Sequence, residues 1–83
     1  MDYILTSHAK IVLKEREIPI SFLKQALTEP ELILEDNDDP ALEHRLCKIK
    51  EYDNRVLRVI FNKTVNPIAI ITVFFDRRMK GKL

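Results

Sequence analysis

The sequence predicts an α+β domain, with two N-terminal helices packed on one face of a twisted antiparallel sheet of about four strands. Two observations carry this. Apolar residues recur at helical spacing only before Pro30, and at alternating, strand-like spacing only after it. The 83 residues also leave room for one core, so a single domain spanning 1–83 is expected.

The elements follow in order. Asp2 to Leu5 is short, and reads as an edge strand or an extended lead-in. Thr6 or Ser7 can cap a first helix, since either hydroxyl can accept a free first-turn N–H. Ala9, Val12, Leu13 and Arg16 then share one helical face. Pro19 interrupts, because it donates no hydrogen bond and moves Ile18 out of helical geometry. A second helix, with Ile20, Leu23, Ala26 and Leu27 facing inward, ends before Pro30.

Leu32-Ile33-Leu34 is a short strand, and Glu35 to Pro40 is an acidic loop. Strands over Glu43–Tyr52 and Arg55–Phe61 are joined at Asp53-Asn54, a pair that tolerates positive φ. Val65-Asn66-Pro67 turns into a last strand, Ile68–Phe75, followed by a basic tail. Period-2 alternation turns Leu57, Val59 and Phe61 toward the helices and Val56, Arg58 and Ile60 away. On the last strand it separates Ala69, Ile71, Val73 and Phe75 from Ile68, Ile70, Thr72 and Phe74. A helix-free face of Val56, Ile60, Ile70 and Phe74 is apolar enough to need a cover. The cover is either a partner or second copy, or the N-terminal segment and acidic loop of the same chain.

Charge is segregated along the chain. Residues 1–43 hold four Lys/Arg against ten acids, and residues 44–83 hold ten against three, which returns the overall +1. A basic C-terminal half points to an anionic partner such as nucleic acid; the competing reading is that the halves interleave and neutralise each other. A lone cysteine, no basic and apolar leader, and no apolar run near the roughly 18–20 residues of a membrane span point to a cytoplasmic protein with no membrane role. The Asn62-Lys63-Thr64 sequon has no function in that setting.

Several chemistries are excluded. One glycine, Gly81, allows no phosphate-cradling loop. One cysteine and two separated histidines make no zinc site, so no metal and no cofactor is expected. Counted from Asp36, a calcium loop would place Ala41 where glycine is needed and Cys47 where a bidentate glutamate is needed. Ser7 and Ser21, both near helix starts, do not suit a serine hydrolase.

The segments Ser7-His8-Ala9, Arg16-Glu17-Ile18, Ala26-Leu27-Thr28-Glu29-Pro30, Arg55-Val56-Leu57-Arg58-Val59 and Ile71-Thr72-Val73-Phe74-Phe75-Asp76-Arg77-Arg78 carry a family resemblance. Together they resemble a prokaryotic family of uncharacterised small proteins related to the RelE/ParE toxin superfamily. The second helix and Glu43-x-Arg45 are also similar to BrnT-type toxins, although Phe74 stands where BrnT proteins tend to carry a basic residue. The resemblance implies a RelE-like fold, a toxin-type function with metal-independent RNA cleavage, and an antitoxin partner.

Such cleavage needs a base for the ribose 2′-OH, cations for the phosphorane and an acid for the leaving oxygen. His8, beside a helix N-terminus, is the candidate base; the competing role is a capping or packing histidine. Arg58, charged between apolar neighbours, is the candidate phosphate cation, against pairing with a carboxylate such as Asp76. Arg77 completes the catalytic set. Arg45, Lys48, Lys50, Arg78 and Lys80 are candidate RNA contacts, with Lys48 and Lys50 alternatively guarding an edge strand. His44 fits a surface salt bridge, Arg16 the end of the first helix, and Cys47 a small core position. Two other functions compete with the enzyme: a non-catalytic module docking protein or nucleic acid through the basic-rimmed sheet, and a structural homodimer.

Overall fold

A computed structural model describes residues 1–83. The element order is β1 (Tyr3–Leu5), α1 (Ser7–Glu15), α2 (Ile20–Thr28), β2 (Leu32–Glu35), β3 (Leu42–Ile49), β4 (Arg55–Asn62) and β5 (Ile68–Phe75). Short 3-10 turns follow β3 at Lys50–Tyr52 and β5 at Arg77–Met79. The fold is α+β as expected, but the sheet differs in count and sense. Five strands run in the order β1-β5-β4-β3-β2, and β1 joins β5 in parallel while the other pairs are antiparallel. The sheet is therefore mixed. Tyr3–Leu5 is an edge strand, a pairing across the whole chain that local pattern does not encode.

Local chemistry explains the helix limits. The Thr6 hydroxyl accepts the Ala9 amide and donates to the Ile70 carbonyl, so one side chain caps α1 and fastens it to β5. Glu17 ends the helix in the left-handed region, at φ 52°. There the Glu17 amide donates to the Lys14 carbonyl and the Ile18 amide to that of Leu13, a Schellman closure built without glycine. Ile18 and Leu13 are both buried, which completes it with an apolar contact. The Arg16 amide bonds the last turn of its own helix but its side chain does not; Nη1 donates to the Val73 carbonyl of β5 at 2.7 Å.

Both helices lie on one face. Ala9, Leu13, Ile18, Phe22, Leu23, Ala26 and Leu27 form one core with Cys47, Ile49, Leu57, Val59, Phe61, Ile70 and Val73. Burying a side chain such as Leu23 or Phe61 contributes about 1.5–3 kcal/mol. Phe22, not Ile20, is the first inward residue of α2, and Ile20 is exposed.

The expected alternation on β5 fails at one residue. Ile60 pairs with Thr72, but Phe61 pairs with Ile70, so Ile71 is an extra residue and the phase reverses there. Ile70 therefore belongs to the helix-side core, not to the open face. Val56 is also fully buried, leaving Ile60 and Phe74 half-buried on the helix-free side. Part of that side is crossed by the C-terminal tail: Lys48 Nζ donates to the Leu83 carbonyl at 3.5 Å, and Met79 lines one cleft with Leu34 and His44. The cover is neither the N-terminal segment nor the acidic loop alone. No helix is long and apolar enough to cross a membrane.

Candidate functional site

On the helix-free side a chain of side chains links the acidic loop to the tail. Asp36 accepts the amides of Asp38 and Asp39 at 3.1 and 3.0 Å, which folds the loop around its carboxylate. His44 lies 2.7 Å from Asp36 Oδ1 through Nε2, and 2.7 Å from Arg58 Nη1 through Nδ1. A guanidinium only donates, so Nδ1 accepts and Nε2 carries the proton. Arg58 then donates to Asp76 Oδ2 from Nε at 3.0 Å and from Nη2 at 2.9 Å. The other oxygen of Asp76 accepts the Arg78 amide at 3.1 Å, which caps the final 3-10 turn, and Arg78 Nε at 3.3 Å.

The charges respond accordingly. The His44 hydrogen bond, with the Asp38 and Asp39 amides, holds the Asp36 carboxyl below its ordinary pKa. Burial pushes the Asp76 carboxyl up. The hydrogen bonds from Arg78 and Arg58 outweigh that and leave it lowered. Both ring nitrogens of His44 are committed, and so are both edges of Arg58 that face carboxylate and ring. The cleft above them, about 470 Å³, is also lined by Glu35, Asp36 and Asp38. Those acids repel a phosphate. This assembly works as a strut between loop, sheet and tail.

A second hollow lies at the end of β5 and has the opposite character. The turn through Asp53 and Asn54, at φ 55° and 56°, brings Tyr52 back against the sheet. Tyr52 stacks on Phe75 at 5.4 Å between centroids and meets Phe22 edge-on at 5.2 Å. The Arg55 guanidinium sits 4.4 Å from the Phe75 centroid. Arg16, Tyr52, Arg55, Phe74, Phe75 and Arg77 line an open groove of about 460 Å³ with no acidic residue in its wall. A neighbouring hollow shares Arg55 and Arg77 and is completed by Val56, Asp76 and Lys80. Neither Arg55 nor Arg77 belongs to any of the chain's ion pairs.

The residues singled out from sequence are dispersed by the fold. His8 is exposed in the first turn of α1, on the helix side, whereas Arg58 faces the other side and Arg77 lines the groove. These three do not converge. Arg45 lies on the helix side, where it donates to the Leu27 carbonyl at 2.6 Å and to Glu43 at 2.8 Å, over the Phe61 ring. It closes the end of α2. Lys48 holds the tail, and Lys50 leaves the strand for the 3-10 turn, so the two form no stripe. Arg78 is an exposed partner of Asp76, and Lys80 pairs with Asp53 at 2.8 Å, which lowers the Asp53 pKa.

Arg16, Tyr52, Arg55 and Phe75 were not among the candidates. Each sits at the end of an element, where periodicity says nothing about which other ends lie nearby. The signal available was composition, since Tyr52 and Arg55 flank one turn and Phe74-Phe75 precede Arg77. No three His, Cys, Asp or Glu side chains are grouped to hold a metal ion.

A model of the family described as Domain of unknown function (DUF4258) matches residues 5–75. The chain belongs to the DUF4258 family. The match runs from the end of β1 to the end of β5, so both helices and four complete strands of the DUF4258 domain lie inside it. It includes Arg16, Tyr52, Arg55, Phe74 and Phe75 of the groove and stops one residue before Asp76. No curated protein and no solved structure matches the chain.

Proposed function

We propose that this DUF4258 domain is an RNA-directed protein of RelE-like, toxin type that grips an unpaired stretch of RNA in the Arg16–Arg55–Arg77 groove. One observation carries the reading: three arginines and three aromatic rings line a groove that contains no acid. Guanidinium forks suit phosphate oxygens, and an exposed ring offers a stacking platform that only an unpaired base can reach. The resemblance to RelE/ParE and BrnT proteins favours RNA over single-stranded DNA. Two helices on one face of the sheet support that resemblance, though β1 adds a parallel edge to it.

Cleavage is the second reading. It is favoured by the Tyr52 hydroxyl, a group able to exchange a proton, and the uncommitted Arg77 lining one groove. Binding of a labelled single-stranded RNA, with a duplex of the same sequence as control, tests the proposal. The single strand binds more tightly, and affinity falls as salt rises. Arg55→Ala and Arg77→Ala each reduce the slope of log K against log salt by about 0.7, the value for one lost phosphate contact on a single strand. Salt-independent binding, or variants that match wild type, would refute the groove. The same RNA incubated in chelator then separates cleavage from binding alone.

A further inference from the structure

The two sheet edges are not equivalent. β1 ends one side with three residues and little charge, and β2 ends the other with Leu32–Glu35. Leu32 pairs with Leu46 and Leu34 with His44, and the Asp36 amide donates to the Leu42 carbonyl at 3.3 Å. Main-chain groups alternate in an antiparallel pair, so those of Leu32 and Leu34 aim at β3. The N–H and C=O of Ile33 and Glu35 consequently point away from the sheet. Side chains on both sides of this edge are open, with Ile33 51% and Leu34 39% exposed.

The flanking charge is one-sided. From Glu29 to Asp39 the chain carries Glu29, Glu31, Glu35, Asp36, Asp38 and Asp39 and no lysine or arginine. Lys63, 3.9 Å from Glu35, forms the one salt bridge to a β2 carboxylate, and Arg45, opposite Ile33 on β3, is engaged by Glu43 and the Leu27 carbonyl. Exposed edges are commonly protected by lysine or proline. This one is protected by acids, which choose the occupant. A second copy would set two acidic edges against each other, an arrangement that like charges disfavour. RNA is repelled for the same reason.

We propose that the β2 edge binds an extended, basic segment of another protein, which adds a strand beside β2. The main chain of that segment pairs with Ile33 and Glu35. Its apolar residues lie on Ile33 and Leu34, and its lysines or arginines face the surrounding acids. The surface is separate from the arginine groove and does not depend on RNA binding.

The test uses the full chain with a peptide of alternating lysine and valine, and one of alternating glutamate and valine as control. The lysine peptide binds with an affinity that falls as salt rises, and at saturation it slows amide exchange at Ile33 and Glu35. Charge reversal by Glu31→Lys with Glu35→Lys weakens it by about tenfold. Ile33→Pro removes the outward donor together with the exposed Ile33 side chain, and weakens it by at least a similar factor. Failure of the lysine peptide to bind, equal binding of both peptides, or unchanged exchange at Ile33 and Glu35 in the saturated wild type overturns the proposal. So does a concentration-dependent dimer that Ile33→Pro abolishes. The exchange measurement needs no variant, so a folding defect in either one leaves the outcome decided.

Discussion

Asp76 is the residue whose removal should damage this fold most through charge. It is 3% exposed, accepts from Arg58 and from the Arg78 side chain and amide, and donates its own amide to the Val56 carbonyl. Arg58 is nearly as enclosed, with its side chain 12% exposed and His44 on its other flank. Asp76→Ala leaves that guanidinium buried beside a neutral ring, and removing one member of a buried pair costs about 3–5 kcal/mol. For a domain of this size, about 3 kcal/mol lowers Tm by roughly 12–24 °C. Urea denaturation followed by circular dichroism measures the loss. The double variant Arg58→Leu/Asp76→Leu should be more stable than Asp76→Leu alone, because no charge is then stranded. Acid supplies a second check. The folded pKa of Asp76 is lowered, so its contribution is complete above the unfolded value, about 3.9, and is lost as pH falls through the folded value. The stability gap between wild type and Asp76→Asn should therefore be widest near neutrality and shrink below about pH 4. A gap that stays constant with pH, or an Asp76→Ala loss under about 1 kcal/mol, would refute the reasoning, since only a solvent-screened pair behaves that way.

Two further outcomes test other parts of the fold. Glu17 holds a left-handed conformation that favours glycine, so Glu17→Gly should stabilise the protein by about 1 kcal/mol in a thermal melt, and a lower Tm would show that the Glu17 side chain contributes more than its strain. Cys47 is buried, and burial, reinforced by the charge of Glu31, pushes its thiol up; a disulfide reagent should react slowly in buffer and rapidly in denaturant, whereas fast reaction in buffer would place Cys47 outside the core.

What the sequence makes legible is local. Thr6, Pro19, Pro30 and the Asp53–Asn54 pair each act within a few residues of themselves, and the elements start and stop there. Two misreadings are local, Ile20 taken as inward in place of Phe22 and Lys50 placed in the strand, and the larger ones involve relations across the chain. The parallel β1–β5 pairing joins Ile4 to Ala69, and the extra residue at Ile71 shows only in the β4–β5 register, with no glycine or other residue type there to mark it. That single offset moved Ile70 from an expected open surface into the core. The charged residues follow the same rule. Arg58 was conspicuous because it interrupts an apolar strand, but a charge between apolar neighbours is required equally by a phosphate and by a buried carboxylate. Which applies depends on Asp76, eighteen positions later and, in the fold, on the adjoining end of β5.

The strut and the groove nevertheless meet at one point. Asp76 holds Arg58 with one oxygen, and with the other it caps the turn that carries Arg77. Arg77 is thus delivered to the groove from a turn whose first residue is anchored in the interior, while its own guanidinium takes no carboxylate. A cation that must meet an external anion is helped by both properties: a fixed backbone, so that little freedom is lost on binding, and no internal carboxylate to release. Arg58 has the first without the second. The residue that looks most like a ligand contact in the sequence therefore acts as support, and the residue it supports, through Asp76, is the one left free to bind.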